Sequence, residues 1–194
     1  MNQDEASRIL ERHFSKIARA IVTGYGHYRR YPAKADHRST TKANVVSDEI
    51  WAEAVREFDG VPGVRPLILR RNQLRFLAVE DRVLLWFKKV DRHRRPRNFP
   101  TKQAERMHAG ENLSLFPDVE ILVIGYLPDR EEMRIARISI SKPRKFHPDW
   151  FIDLIPPGEA VAFPMPALGS TDQDRGFRVV VKTSVQLHLL SDEA

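Results

Sequence analysis

The sequence predicts an α+β fold, with two N-terminal helices packed on a mostly antiparallel β-sheet. Three observations carry this expectation. Apolar residues recur at helical spacing as far as Phe58; beyond Pro66 they alternate or run in short blocks; and the strand candidates are joined by short turns. The alternating strand–helix rhythm of a dinucleotide-binding fold is missing. With 194 residues, 42% of them hydrophobic and 30% charged, the chain has the composition of one globular domain with a substantial core. It divides into a helical part over 1–60, a sheet core with a basic hairpin loop over 66–155, a Pro/Gly-rich loop over 156–176 and a last strand over 177–190.

The elements follow in order. From Asp4 to Val22, Leu10, Phe14, Ile17 and Ile21 make one apolar stripe, and Asp4 and Glu5 suit a helix N-terminus. Gly24-Tyr25-Gly26 is expected to stop that helix. A polar, aromatic and basic segment follows to Lys42, and a second helix is expected from about Val46 to Phe58, with Ser47-Asp48-Glu49 at its start. Gly60 to Pro66 reads as punctuation. Leu74–Val79 and Val83–Val90 then read as a hairpin turning at Glu80-Asp81-Arg82. A short helix is expected from Thr101 to His108, and strands at Val119–Leu127, Met133–Ser141 and Trp150–Ile155. Phe177 to Leu190 alternates cleanly and reads as a further strand.

Charge is where function shows. The segment Lys88 to Arg97 holds Lys88, Lys89, Arg92, Arg94, Arg95 and Arg97 against Asp91, a sum of +5 that follows directly on the apolar run Val83–Phe87. A buried strand therefore leads straight into a cationic loop, a rigid mount for a patch that attracts phosphate. Lys102 extends it. A second basic group runs through Arg29, Arg30, Lys34, His37, Arg38 and Lys42 with Tyr28 and Tyr31 interleaved, and a third is Arg70, Arg71 and Arg75. Guanidinium groups bind phosphate bidentately and tyrosines stack on unpaired bases, so these groups are candidate nucleic-acid contacts. Each also has a plainer reading as a solvated basic surface. The stretch Glu111–Glu132 holds six acids and one base, which predicts a separate face that repels polyanions.

For catalysis the sequence offers little. The hairpin ending in Phe87-Lys88-Lys89 is superficially like the acid-x-Lys strand of restriction-type nucleases. Trp86 and Phe87, however, stand where the metal-binding acid would be. Asp118 and Glu120 share a face, but two acids are too few for a hard cation. The chain has no cysteine, and its histidines lack zinc-ligand spacing, so no metal and no cofactor are expected. If the chain is an enzyme, a metal-independent ribonuclease is favoured, with His27, His37 and His93 as acid–base candidates and Arg38, Lys88 or Lys89 as candidate transition-state stabilisers. The apolar runs fall short of a bilayer span and the start reads as no signal peptide, so a soluble cytoplasmic protein without membrane contact is expected.

Several local features occur together: His37-Arg38 with Lys42-Ala43, Phe87-Lys88-Lys89, Asn98 with Thr101-Lys102-Gln103, Gly125-Tyr126 with Asp129, and Trp150. On these, the span from His37 to Leu154 resembles a family of small uncharacterised bacterial proteins of prophage, defence and toxin–antitoxin loci. The resemblance implies an operon partner, often a helix-turn-helix antitoxin with a peptidase-like domain. It brings no established activity and no catalytic residues. The favoured expectation is a nucleic-acid-targeting, toxin-like effector of a two-gene system, acting on RNA in preference to DNA. The alternatives are a non-catalytic DNA-binding regulator, or an interaction module docking an acidic protein partner.

Overall fold

The computed structural model describes residues 1–32, 34–69, 74–97, 119–144 and 147–155. The expected helix at 101–108, the loop 156–176, the strand 177–190 and the side chains of Arg70, Arg71 and Lys102 lie outside these residues. Within them the fold is α+β: helices at the N-terminus pack on a six-stranded, mostly antiparallel sheet.

The first helical stretch is two helices. α1 (Gln3–Leu10) is capped by the Asn2 side chain, which accepts from the Glu5 N–H at 2.8 Å, and Asp4 and Glu5 fill its first turn. A 3₁₀ turn at Glu11–His13 redirects the chain into α2 (Phe14–Arg29). The Gly24-Tyr25-Gly26 stop does not occur: α2 runs through it for another turn. Its buried stripe of Ile17, Ile21, Tyr25 and Tyr28 outweighs the glycines' low helix propensity. α3 (Ser39–Glu57) begins about two turns earlier than Val46. Ser39 to Asn44 has no apolar face because most of it is exposed, so hydrophobic spacing could not reveal it. From Val46 on, Val46, Ile50 and Ala54 are buried against α2, as the spacing predicts.

The sheet order follows the sequence, β1 (Val64–Leu69), β2 (Leu74–Val79), β3 (Val83–Lys89), β4 (Glu120–Pro128), β5 (Ile135–Ser141) and β6 (Phe151–Ile155). β1 lies where Gly60–Pro66 reads as punctuation. It is an edge strand, where Pro66 and an exposed Arg65 are tolerated, and its inward face is only half-buried. The β2–β3 turn falls where expected, with Glu80 and Asp81 both at positive φ (52° and 51°) and Arg82 N–H bonded to the Val79 carbonyl at 3.0 Å. All neighbouring pairs are antiparallel except β3–β4, which run parallel from Val83↔Glu120 to Lys89↔Tyr126. Alternate strand residues feed two apolar layers. Leu77, Leu85, Phe87, Leu122 and Ile124 pack with the helices, while Phe76, Ala78, Leu84, Trp86 and Val123 form a second cluster on the opposite face. Among the described residues no helix is long and apolar enough to cross a membrane.

Candidate nucleic-acid interface

β3 emerges from the core at Phe87, and the strand's alternation sends Lys88 and Lys89 to opposite faces. Lys89 meets the turn between β4 and β5. That turn is built by Asp129, whose carboxylate accepts from the Met133 N–H at 2.7 Å, and whose own N–H bonds the Arg134 carbonyl at 2.9 Å. The geometry leaves Glu132 at a φ of 54°. Three cations and a tyrosine then converge on this turn, at Glu132 and Met133. Lys89 Nζ lies 3.0 Å from Glu132 Oε1, Lys42 pairs with Oε2, the Tyr25 hydroxyl donates to the Glu132 carbonyl at 2.8 Å, and Arg29 donates to the Met133 carbonyl.

The fold therefore joins two basic groups that are far apart in sequence. Arg29 comes from α2, Lys42 from α3 and Lys89 from β3. Lys34 folds back to donate to the Arg29 carbonyl at 2.7 Å, and Arg97 is fixed by its N–H on the Lys89 carbonyl at 2.9 Å. Lys42 and Lys89 share the Glu132 carboxylate, and Arg29, Lys34 and Arg97 stand close by. Their mutual repulsion registers in the lysines: Lys89 is held below its ordinary pKa by burial, then by Lys42 and Arg97, and Lys42 by burial and Lys34.

Beside this cluster the segment 90–97 is a tight, internally bonded turn. The Asp91 carboxylate accepts from the N–H groups of His93 (2.8 Å) and Arg95 (3.0 Å) and from Arg95 Nε (3.0 Å). Burial pushes Asp91's pKa up, but these donors outweigh it and hold the group below the usual carboxylate value. Val90 bridges to Pro96, and Arg137 ties the carbonyls of Asp91 (3.2 Å) and Arg92 (2.8 Å). Arg92, Arg95 and Arg97 face solvent on this frame. Arg94 does not. Its guanidinium is turned inward onto Asp153 and the ring of Phe151.

The aromatic residues of the second basic group sit at the same place. Tyr28 is buried, and Tyr31, 41% exposed, stacks on it at 6.3 Å with 24° between the rings. His37 packs against both rings, with Nδ1 buried and, among the described residues, without a hydrogen-bond partner. Arg30 and Arg38 are exposed. Among the described residues no contact joins His37 or Arg38 to His93, which is exposed in the loop. His27 is engaged elsewhere, at 3.4 Å from Glu49 and 3.2 Å from Glu53. Arg75 lies apart from the cluster, paired with Asp48.

The acidic stretch is not a separate repelling face throughout. Its last residue, Glu132, is the anion at the centre of the basic cluster, and Glu120 is held by the N-terminal ammonium at 3.3 Å and by Lys142 at 3.2 Å. Among the described residues no three His, Cys, Asp or Glu side chains lie together in a way that could hold a metal ion. Spacing alone could not identify Glu132, because its role depends on a turn conformation and on helices that precede it by some ninety residues, as the Lys42 pairing shows. No protein-family model matches the chain, and no curated protein or solved structure matches it either.

Proposed function

We propose that the chain binds nucleic acid, preferentially single-stranded RNA, as the toxin-like effector of a bacterial two-gene system. The observation that carries this reading is the convergence of Arg29, Lys34, Lys42, Lys89 and Arg97 beside the exposed Arg92 and Arg95, with Tyr31 alongside. Cations spaced over a rigid surface neutralise successive phosphates, and an exposed ring among them offers a stacking platform for an unpaired base. The effector role rests on the resemblance, and His37, Arg38 and His93 remain its candidate catalytic groups. An acidic protein partner is the second reading, favoured by the fact that Lys42 and Lys89 already accept a carboxylate.

The test is a gel-shift salt series with labelled single- and double-stranded RNA and DNA, scoring cleavage as well as shift. The variant Arg92→Glu/Arg95→Glu/Arg97→Glu is expected to weaken binding at least tenfold at low salt. It should also flatten the slope of log K against log salt by about 2, close to 0.7 for each single-strand phosphate that is no longer neutralised. Expression of the wild type is expected to slow growth, and the triple variant to relieve that. An absent shift on every nucleic acid, or a slope that the variant leaves alone, would count for the acidic partner, to be sought by co-purification.

Glu132→Gln supplies a gain-of-binding counterpart. Without its charge Lys42 and Lys89 lose the anion they share, so a phosphate no longer competes with a carboxylate for them. Affinity for single-stranded RNA is expected to rise about threefold to tenfold, with a steeper salt slope. Unchanged or weaker binding would show that strand and carboxylate do not compete for these lysines.

A further inference from the structure

The second face of Lys88 leads to a different part of the molecule. The β2–β3 ladder covers Leu77↔Leu85, Ala78↔Leu84 and Val79↔Val83. Beyond Leu77 and Leu85 each strand continues with its outer neighbour instead, β2 with β1 down to Leu69↔Leu74 and β3 with β4 up to Lys89↔Tyr126. The inner strands thus fork inside the sheet, and α3 closes the third side of the wedge. The result is an open cleft of about 310 Å³, lined among others by Ser47, Asp48 and Trp51 of α3, Arg75 of β2 and Trp86 and Lys88 of β3.

Its chemistry is that of an anion site. Lys88 Nζ rests 4.3 Å above the Trp86 ring, and among the described residues it has no carboxylate partner. An aromatic face offsets part of the cost of withdrawing an ammonium from water but accepts no strong hydrogen bond, so its N–H donors remain available. Arg75 faces the same cleft and holds the exposed Asp48. The wall therefore carries two cations against one anion that a ligand can displace. Burial draws the Lys88 ammonium down to about 8, the cost that a bound anion would reverse. The volume lies at the lower end of small-molecule sites, and Trp51 gives the cleft one flat apolar wall.

We propose that this cleft binds a nucleotide bearing a terminal phosphate, with the phosphate on Lys88 and Arg75 and the base against Trp51. The source is a free mononucleotide or the phosphorylated end of a strand. The proposal does not rest on the basic surface: a mononucleotide would fill the cleft even if that surface held no strand.

Calorimetric titration of the full chain with adenosine 5′-monophosphate, adenosine, and 5′-phosphorylated or 5′-hydroxyl single-stranded RNA tests it. Lys88→Met is expected to weaken binding of the phosphorylated ligands at least tenfold, the scale of removing one charge-assisted hydrogen bond. Removing a partly buried charge that has no carboxylate partner among the described residues should not harm folding. Asp48→Asn should act in the opposite direction, tightening binding about twofold to fivefold by freeing Arg75. It lies on the exposed side of α3, which keeps the test decisive if Lys88→Met misfolds. Arg144→Gln, an exposed residue paired with Asp149, should change nothing. Binding of the mononucleotide identifies a free ligand; Lys88-dependent binding of the 5′-phosphorylated RNA alone identifies a strand end. Equal affinity for phosphorylated and unphosphorylated ligands, or no binding of either class, overturns the proposal. So does weaker binding by Asp48→Asn. The triple arginine variant separates the two sites, because it should lose strand binding while keeping the mononucleotide.

Discussion

Arg94→Ala is expected to lower the free energy of unfolding by about 3–5 kcal/mol, the range for removing one partner of a buried ion pair. Arg94 lies in the most basic segment of the chain, yet its side chain is only 16% exposed and that of Asp153 only 8%. Nε and Nη2 reach Asp153 Oδ1 and Oδ2 at 3.2 and 2.6 Å, a two-pronged contact, and the guanidinium carbon sits 3.5 Å from the centre of the Phe151 ring. The pair fastens the loop to β6. It also outweighs the cost of holding Arg94 at a φ of 64°, which is about 1–2 kcal/mol for a residue with a Cβ. Removal of the arginine leaves the Asp153 carboxylate buried, with Arg137 still interacting with it electrostatically. Urea denaturation of Arg94→Ala beside Arg95→Ala provides the measurement. Arg95 pairs with Asp91 on the exposed side, 49% accessible, and its loss should cost less than about 1 kcal/mol. Equal, small losses in both would show that Arg94 is an ordinary surface arginine. Replacing both partners, Arg94→Met with Asp153→Leu, should recover most of the stability, since no uncompensated charge then remains.

This division within one basic segment marks how far the sequence could be read. The fold class, the β2–β3 turn and strands β2 to β6 were legible, because period-two alternation and block hydrophobicity report directly which face is buried. Edge strand β1 was not, since an edge with Pro66 and Arg65 lacks the burial that creates the signal. Charge density likewise located the loop but could not sort its members. Whether an arginine binds solvent, ligand or a buried acid depends on which distant side chain faces it, and Asp153 lies 59 residues away. Glu132 shows the same limit in reverse. As a member of an acidic run it reads as a repelling charge, whereas the turn built by Asp129 delivers it between Lys42 and Lys89. The cleft at Lys88 depends on where a ladder ends, which no local pattern records.

Gly24 is the other position where a small change should have a large effect. On sequence it ends a helix; in the fold it lies inside α2, packed closely against the α3 backbone. A Cβ there would stand 2.6 Å from Ile50 Cα, 2.7 Å from Ile50 N and 2.8 Å from Glu49 C. Two effects of Gly24→Ala oppose one another. Alanine favours the helix by about 1 kcal/mol over glycine. Overpacking a core costs about 1–3 kcal/mol, and here the clash is with backbone, which cannot rotate aside as a side chain would. The clash with backbone should win, giving a net loss of up to about 2 kcal/mol in urea denaturation, and more for Gly24→Val. The consequence reaches the candidate interface. Arg29 rides on α2 and Lys42 on α3, and both bind the Glu132–Met133 turn. Helices forced apart cannot present both cations to the same turn, so RNA affinity should fall along with stability even though no basic residue has changed. A Gly24→Ala protein that is more stable than wild type would mean that α2 and α3 slide past one another freely. In that case the five-cation cluster could not depend on their close approach, and the rigid mount inferred for the phosphate-binding surface would fail with it.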